Sequence, residues 1–90
     1  MSTKNVEISP AQCRAGRALL DMTQTGLAEL AELGLSTVVD FERERRQVSA
    51  SAAAAILLAL KRAGVEFIDE NGGGVGVRLR KRSHPAKSKP

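Results

Sequence analysis

The feature that most restricts the fold of this chain is a pair of short helical segments separated by three residues. Residues 24–31 and 35–44 place apolar side chains at helical spacing, and Glu32-Leu33-Gly34 interrupts the pattern between them. Gly34 accepts backbone angles that other residues resist, so the interruption predicts a tight turn at this glycine. Two helices of this length on so short a turn have to pack against each other around a shared apolar wedge.

The apolar residues around this turn are predicted to be core. Ala28 has to be small because the two helices cross at its position. The wedge between the helices is expected to be filled by Leu27, Ala31, Leu33, Val38 and Phe41. Leu30 is also placed on or around the buried side of its helix, and Leu19 among the inward-facing residues of the helix before it.

Further helices and a β-hairpin are predicted on both sides of this pair. Ser9-Pro10 is a helix-start signal and predicts a helix over residues 10–21. A cap at Ser49 and a stop at Gly64 bound a fourth helix, residues 50–63. Apolar residues then alternate with period two, which predicts strands at residues 65–68 and 75–79. A lone hairpin is marginal in water, so it should pack on the helices or pair with another chain.

Length and charge indicate one domain with a basic end. Ninety residues allow a single core, predicted over residues 9–80, after a flexible segment 1–8 and before a disordered tail 81–90. Residues 71–90 carry six Lys or Arg and no acid, whereas residues 1–70 carry eight Lys or Arg and ten Asp or Glu. This asymmetry fits a polyanionic partner, and it equally fits a tail that only keeps the protein in solution.

Catalysis, cofactors and membranes are not indicated. Cys13 and His84 are each the only residue of their type and lie far apart in sequence, so neither a metal cluster nor a nucleophile–base pair is expected. The glycine-rich segment 72–76 lacks the Gly-Lys-Ser/Thr ending of a phosphate-binding loop. Without a secretory signal or a long apolar run, we predict a cytoplasmic protein that is not an enzyme and takes no cofactor or small-molecule substrate.

The helical pair also carries a family resemblance. The segment from Met22 to Ala31, MTQTGLAELA, resembles the Xre-type family, the relatives of the lambdoid phage repressors. The resemblance covers roughly residues 9–60 and continues through Leu33, Ser36, Thr37, Val38, Phe41 and Glu42. The chain departs from the family at Glu32, where Gly is usual, and at Gly34, where Ser or Thr is usual. The resemblance implies a mainly α fold, which is a four-helix lambda-repressor-like helix-turn-helix domain followed by the short C-terminal β-hairpin.

The resemblance assigns roles to individual residues. Gln24 matches a glutamine that contacts DNA phosphate. The positions that face the major groove are Leu35, Ser36, Thr37, Val39 and Asp40. Their side chains offer hydroxyl donors, apolar contacts to thymine methyl groups and one acceptor for a cytosine amino group, but no bidentate Arg, Asn or Gln. The positions that meet the DNA backbone are Arg43, Arg45 and Arg46. Arg17 and Glu42 match a structural ion pair.

These roles imply a sequence-specific transcriptional regulator, a repressor, that binds double-stranded DNA through the helix at residues 35–44. One helix-turn-helix unit contacts about five base pairs, so a homodimer on a palindromic operator is expected. Helix 4 or the edge of the hairpin could join the two copies. The alternative is a protein-interaction module, such as an antitoxin or an adaptor, because Leu35 and Val39 also suit a protein groove. A sequence-independent DNA binder is a third reading.

Overall fold

Four helices and one β-hairpin follow each other in residues 7–80, the part of the chain that this computed structural model describes. The elements are α1 (Pro10–Leu20), α2 (Gln24–Ala31), α3 (Leu35–Arg43), α4 (Ala50–Ala63), β1 (Val65–Ile68) and β2 (Gly76–Leu79). The predicted architecture, mainly helical with a short C-terminal hairpin, is confirmed. The predictions for residues 1–6 and for the tail 81–90 lie outside the described residues.

Side-chain caps determine where three of the helices begin. The hydroxyl oxygens of Ser9, Thr23 and Ser49 each accept a hydrogen bond from a backbone N–H three residues later. At Ser9 the cap is reciprocal, since its own N–H donates to Oε1 of Gln12 at 3.0 Å. These local bonds explain why α2 and α4 begin where they were predicted to begin.

Three helices end at acidic residues in the left-handed conformation. Asp21, Glu32 and Glu44 have φ of 58°, 59° and 56°. Each N–H donates back to carbonyl groups of the helix that it ends. Because Asp21 and Glu44 leave the helical conformation, α1 and α3 are each one residue shorter than predicted. Gly64, with φ of 115°, ends α4 in the same region at no steric cost.

The turn between α2 and α3 differs from the prediction. Gly34 is extended, with φ −71° and ψ 150°, and caps α3 without a side chain. The left-handed residue is Glu32, two positions earlier, and the N–H of Leu33 donates to the carbonyl of Ala28 at 2.9 Å. The expectation that Gly34 provides the unusual backbone angle was wrong, because the chain turns where the helix ends rather than where the next one begins.

The core draws on all four helices and on β1. Its most completely buried apolar side chains are Cys13, Leu27, Val38, Ile56, Leu60 and Val65. Ile8 is also buried, so packing begins within the segment that we expected to be flexible. Leu19 and Leu30, expected to face inward, are 42% and 55% exposed. They lie beside the buried stripes of α1 and α2, whose positions are fixed by Cys13 and by Leu27.

The hairpin packs on the helices. Its strands pair antiparallel, from Val65 opposite Leu79 to Ile68 opposite Gly76. Val65 is buried, and Nε2 of Gln12 donates to the carbonyl of Gly76 at 3.0 Å, which ties β2 to α1. The prediction placed Val75 in the second strand, but β2 begins at Gly76. Gly76 pairs with Ile68, the last residue of β1, so Val75 lies beyond the end of the paired strands.

A pair of glycine substitutions tests the backbone assignment. A Cβ would meet nothing within 4 Å at either Gly34 or Gly64, so the two sites differ mainly in φ. Gly34→Ser should stabilise the domain by about 0.5 kcal/mol, because it adds a capping hydroxyl and restricts the unfolded chain. Gly64→Ser should destabilise it by about 1 kcal/mol, because it forces a side chain into the left-handed region. Urea unfolding at one protein concentration measures both, and equal effects of the two changes would contradict the assignment.

Candidate nucleic-acid interface

The carboxylate of Glu42 is the polar centre of the domain. Only 1% of the Glu42 side chain is exposed, yet its two oxygens accept four hydrogen bonds. Arg17 donates twice, from Nε to Oε2 at 2.7 Å and from Nη2 to Oε1 at 2.8 Å. Cys13 Sγ donates to Oε2 at 3.0 Å, and Gln24 Nε2 donates to Oε1 at 2.9 Å. Because the donors lie on α1 and α2, this one carboxylate links both helices to α3.

The ionisation of this cluster follows from burial and hydrogen bonding. Burial alone would raise the pKa of Glu42, but the hydrogen bonds from Arg17, Cys13 and Gln24 outweigh it, and the pKa lies below its usual range. The bond to Glu42 raises the pKa of Arg17. Burial, and then the neighbouring Glu42, raises the pKa of the Cys13 thiol. The thiol therefore stays protonated and can donate to a charged carboxylate.

Two arginines of α1 also bind main-chain carbonyl groups, one in α3 and one in the turn between α1 and α2. Arg14 Nη1 donates to the main-chain carbonyl of Glu42 at 2.6 Å, and Arg17 Nη1 donates to the carbonyl of Met22 at 3.0 Å. The contributions of Cys13 and Arg14 were not predicted from the sequence. The spacing of Cys13 and Arg17 was a usable signal, because residues four apart lie on one face of a helix. The last turn of α3 is thus held through both its side chain and its backbone.

The two ends of α3 are open to solvent. The helix buries Val38 and Glu42, and Phe41 is half-buried against the core. Leu35 is 45% exposed, and Ser36 beside it is exposed. The remaining positions that were predicted to face DNA are half-buried: Thr37, Val39 and Asp40. The exposed start of α3 therefore offers one hydroxyl group and one apolar group, and no charge.

Asp40 and Arg46 bind each other. Nε of Arg46 donates to Oδ2 of Asp40 at 2.8 Å, although more than half of the arginine side chain remains exposed. We predicted separate roles for them, a base contact for Asp40 and a backbone contact for Arg46. The ion pair neutralises both charges locally. Arg43 and Arg45 form no salt bridge with residues 7–80 and are exposed, so they are the unneutralised cations at the end of α3.

Gln24 has a partner inside the protein. It is the first residue of α2 and half-buried, and its amide nitrogen donates to Glu42. A primary amide has two N–H donors, so a phosphate at this helix start would use the second one. The predicted phosphate contact and the observed internal bond are thus compatible, and the internal bond fixes the orientation of the amide.

The positive charge of the chain is concentrated outside the described part. Residues 7–80 contain nine Lys or Arg and ten Asp or Glu, a net charge of −1, whereas the whole chain carries +4. Arg78 is paired with Glu66 at 2.5 Å, and Arg80 Nη1 donates to the carbonyl of Lys61. An anion that binds the described domain therefore meets locally free charge at Arg43 and Arg45 rather than a broadly basic surface.

Searches for other kinds of site and for relatives were negative. Between residues 7 and 80, no helix has the length and apolar character needed to cross a membrane, and no three metal-ligating side chains gather at one point. No protein-family model matches the chain. No curated protein sequence matches it either. The side chains described above are therefore the basis for assigning a function.

A double-mutant cycle tests the energetic role of the Glu42 cluster. Arg17→Ala should destabilise the domain by about 3–5 kcal/mol, because it leaves a buried carboxylate without its charged partner. In a Glu42→Ala background the same change should cost far less, since the charge is gone. The control pair is Asp40→Ala with Arg46→Ala, whose coupling should stay below about 1 kcal/mol at this exposed site. Additive losses for Arg17 and Glu42 would contradict the role.

The same cluster predicts a loss of stability in acid. A carboxyl whose pKa is lowered by folding stabilises the native state above its unfolded pKa, about 4.3 for Glu, and loses that contribution as the pH falls through its folded pKa. The free energy of unfolding should therefore drop below about pH 4. Glu42→Gln should be less stable at neutral pH and should show a shallower acid dependence in denaturant titrations. Parallel curves for the two proteins would refute the assignment.

Proposed function

We propose that this chain is a sequence-specific DNA-binding transcriptional regulator, a repressor, in which α2 and α3 form a helix-turn-helix and α3 enters the major groove. The observation that carries the proposal is the two-sided character of α3. Its inner side is held by the buried Glu42 cluster, whereas Ser36 on its outer side and Leu35 at its first residue are exposed, with free arginines at its end. A helix that enters the major groove needs both a fixed attachment to its own domain and an exposed surface toward the bases.

The chemistry of the outer side suits recognition of bases. Ser36 and Thr37 can donate to base edges or to phosphate, and the thymine methyl group is an apolar partner for Leu35 or Val39. None of these groups repels the phosphate backbone. The ion pair with Arg46 holds the charge of Asp40, the acid on this side of α3, within the protein. Readout through hydroxyl and methyl groups predicts modest discrimination at each base pair.

The arginines that follow the recognition helix suit the DNA backbone. Arg43 is the last residue of α3, and Arg45 lies just after it in the chain. Contacts of this kind fix register and supply affinity that depends on salt but little on sequence. In this proposal, the start of α3 recognises bases, whereas Arg43 and Arg45 at its end contact the DNA backbone.

A single domain of this size requires a partner for specificity. One helix-turn-helix contacts about five base pairs, which is too short a site to be distinctive in a genome. We infer a homodimer on a palindromic operator, with half-site centres about 34 Å apart, one turn of the DNA helix. The basic residues 81–90 would add positive charge to each copy.

A protein-interaction module, such as an antitoxin or an adaptor, is the second candidate. The observation in its favour is that Leu35 is 45% exposed at the start of α3, with the half-buried Val39 one turn later. Paired aliphatic side chains on an open helix also fit an apolar groove of another protein. A salt-dependent gel shift with mixed genomic DNA separates the candidates, since only the regulator should bind duplex DNA.

The decisive experiment separates base recognition from sequence-independent contact with the DNA backbone. Bound sequences are first selected from a random DNA pool, and each variant is then titrated with the selected duplex and with a random duplex at one salt concentration. Ser36→Ala or Thr37→Ala should cost about 1 kcal/mol, roughly fivefold in Kd, on the selected duplex only. Arg45→Ala should weaken binding to both duplexes and leave their ratio nearly unchanged.

Lys61→Ala is the matched control, because it removes an exposed cation from the last turn of α4 and should change neither titration. The proposal fails if selection yields no preferred sequence and the wild-type chain does not shift duplex DNA at low salt. Enrichment of sequences without a palindrome would leave recognition by α3 intact but would contradict the homodimer.

A further inference from the structure

We propose that the groove between α2 and α4 binds the same groove of a second copy of this chain, so that a twofold-symmetric dimer forms there. The dimer rests on the proposed function, because its role would be to join two helix-turn-helix units on one operator, and the groove is the surface that joins them. The groove has a volume of about 330 Å³. It is lined by Leu30, Ala31, Glu32, Ala55, Leu58, Ala59, Arg62 and Ala63.

Two large leucines line this groove and are exposed in it. Leu30 on α2 is 55% exposed and Leu58 on α4 is 48% exposed. Scattered exposed leucines are normal, but two on one concave surface form an apolar centre that a partner could cover. Burying both leucines in a dimer would stabilise it twice, once in each symmetric half of the interface.

The outer face of α4 permits a close approach. Ser51, Ala55, Leu58 and Arg62 are spaced by four, three and four residues, so they lie along one side of the helix. The small side chains of Ser51 and Ala55 protrude little from the first half of this side. Leu58, the one large apolar side chain among the four, follows them. A helix of a second copy can therefore come near, with its own Leu58 placed against the groove.

The charges at the groove identify the occupant as a second copy. Glu32 lines it from the α2 side and Arg62 from the α4 side, and both carry charge at its rim. Neither takes part in a salt bridge within residues 7–80. A twofold axis exchanges the two sides, so Arg62 of each copy faces Glu32 of the other, and both pairs form together. A single acid and a single base around an apolar centre do not suit a polyanion.

The position of the groove is compatible with DNA recognition. None of its lining residues belongs to α3, so a dimer formed there leaves Leu35 and Ser36 open. Glu32 lies three residues before the start of α3, and the contact would therefore fix the two recognition helices relative to each other over a short connection.

Sedimentation equilibrium of the full chain without DNA tests the proposal. The wild type should dimerise, and Leu58→Glu or Leu30→Glu should raise the dimer Kd at least about tenfold by placing a charge in the apolar centre. Leu19→Glu is the control, because Leu19 is 42% exposed on α1 and does not line the groove. Far-UV circular dichroism checks that each variant is folded, and Leu58→Ala replaces Leu58→Glu if the latter unfolds.

Charge exchange gives a second, independent result. Arg62→Glu and Glu32→Arg should each weaken the dimer, and the double variant should recover the wild-type Kd, which a purely structural effect would not produce. A monomeric wild-type chain, or a dimer equally sensitive to Leu19→Glu and to Leu58→Glu, would overturn the proposal. Since no DNA is present, the selection experiment judges the regulatory function separately, and either proposal can fail alone.

Discussion

The buried carboxylate of Glu42 is the interaction on which the arrangement of the helices depends. A charge in the core is costly unless every lone pair finds a donor, and here the donors are on α1 and α2 while the acceptor is on α3. Any tilt of α3 would lengthen several of these bonds at once. An apolar cluster of similar volume could be as stable, but it would tolerate sliding. The ionic cluster therefore acts mainly on the orientation of α3, and that orientation decides what its outer side can reach.

Local signals in the sequence predicted the helices well. Thr23 and Ser49 cap with their own side chains, so the first residues of α2 and α4 follow from residues within three positions. The turn was harder, because glycine is the usual left-handed residue and this chain has its glycine at position 34. The family pattern, in which Gly is usual at position 32, was the signal that could have identified Glu32 as the left-handed residue. The exposure of Leu30 depends on the placement of α4, which is a tertiary property. Periodicity alone therefore assigned it to the core.

The sequence indicated which side chains the candidate surface could offer, but it did not indicate their partners inside the protein. The positions on α3 and after it lie where the resemblance placed them along the chain, and Ser36 and Arg45 are exposed. The internal bond of Gln24 and the pairing of Asp40 with Arg46 were not foreseen. Both depend on side chains that meet only after α2, α3 and the following turn have packed. Sequence patterns indicate which groups are available, whereas folding decides which of them remain free.

The acidic residues that end α1, α2 and α3 make the domain less stable than its fold allows. Each is held in a left-handed conformation that costs a non-glycine residue about 1 kcal/mol, and each places a carboxylate at the negative end of a helix dipole. Against a total of about 5–15 kcal/mol, such losses raise the fraction of unfolded molecules exposed to proteases. Heat resistance could therefore be gained without repacking the interior, at Asp21 and Glu44, which belong neither to the core nor to the α2–α4 groove.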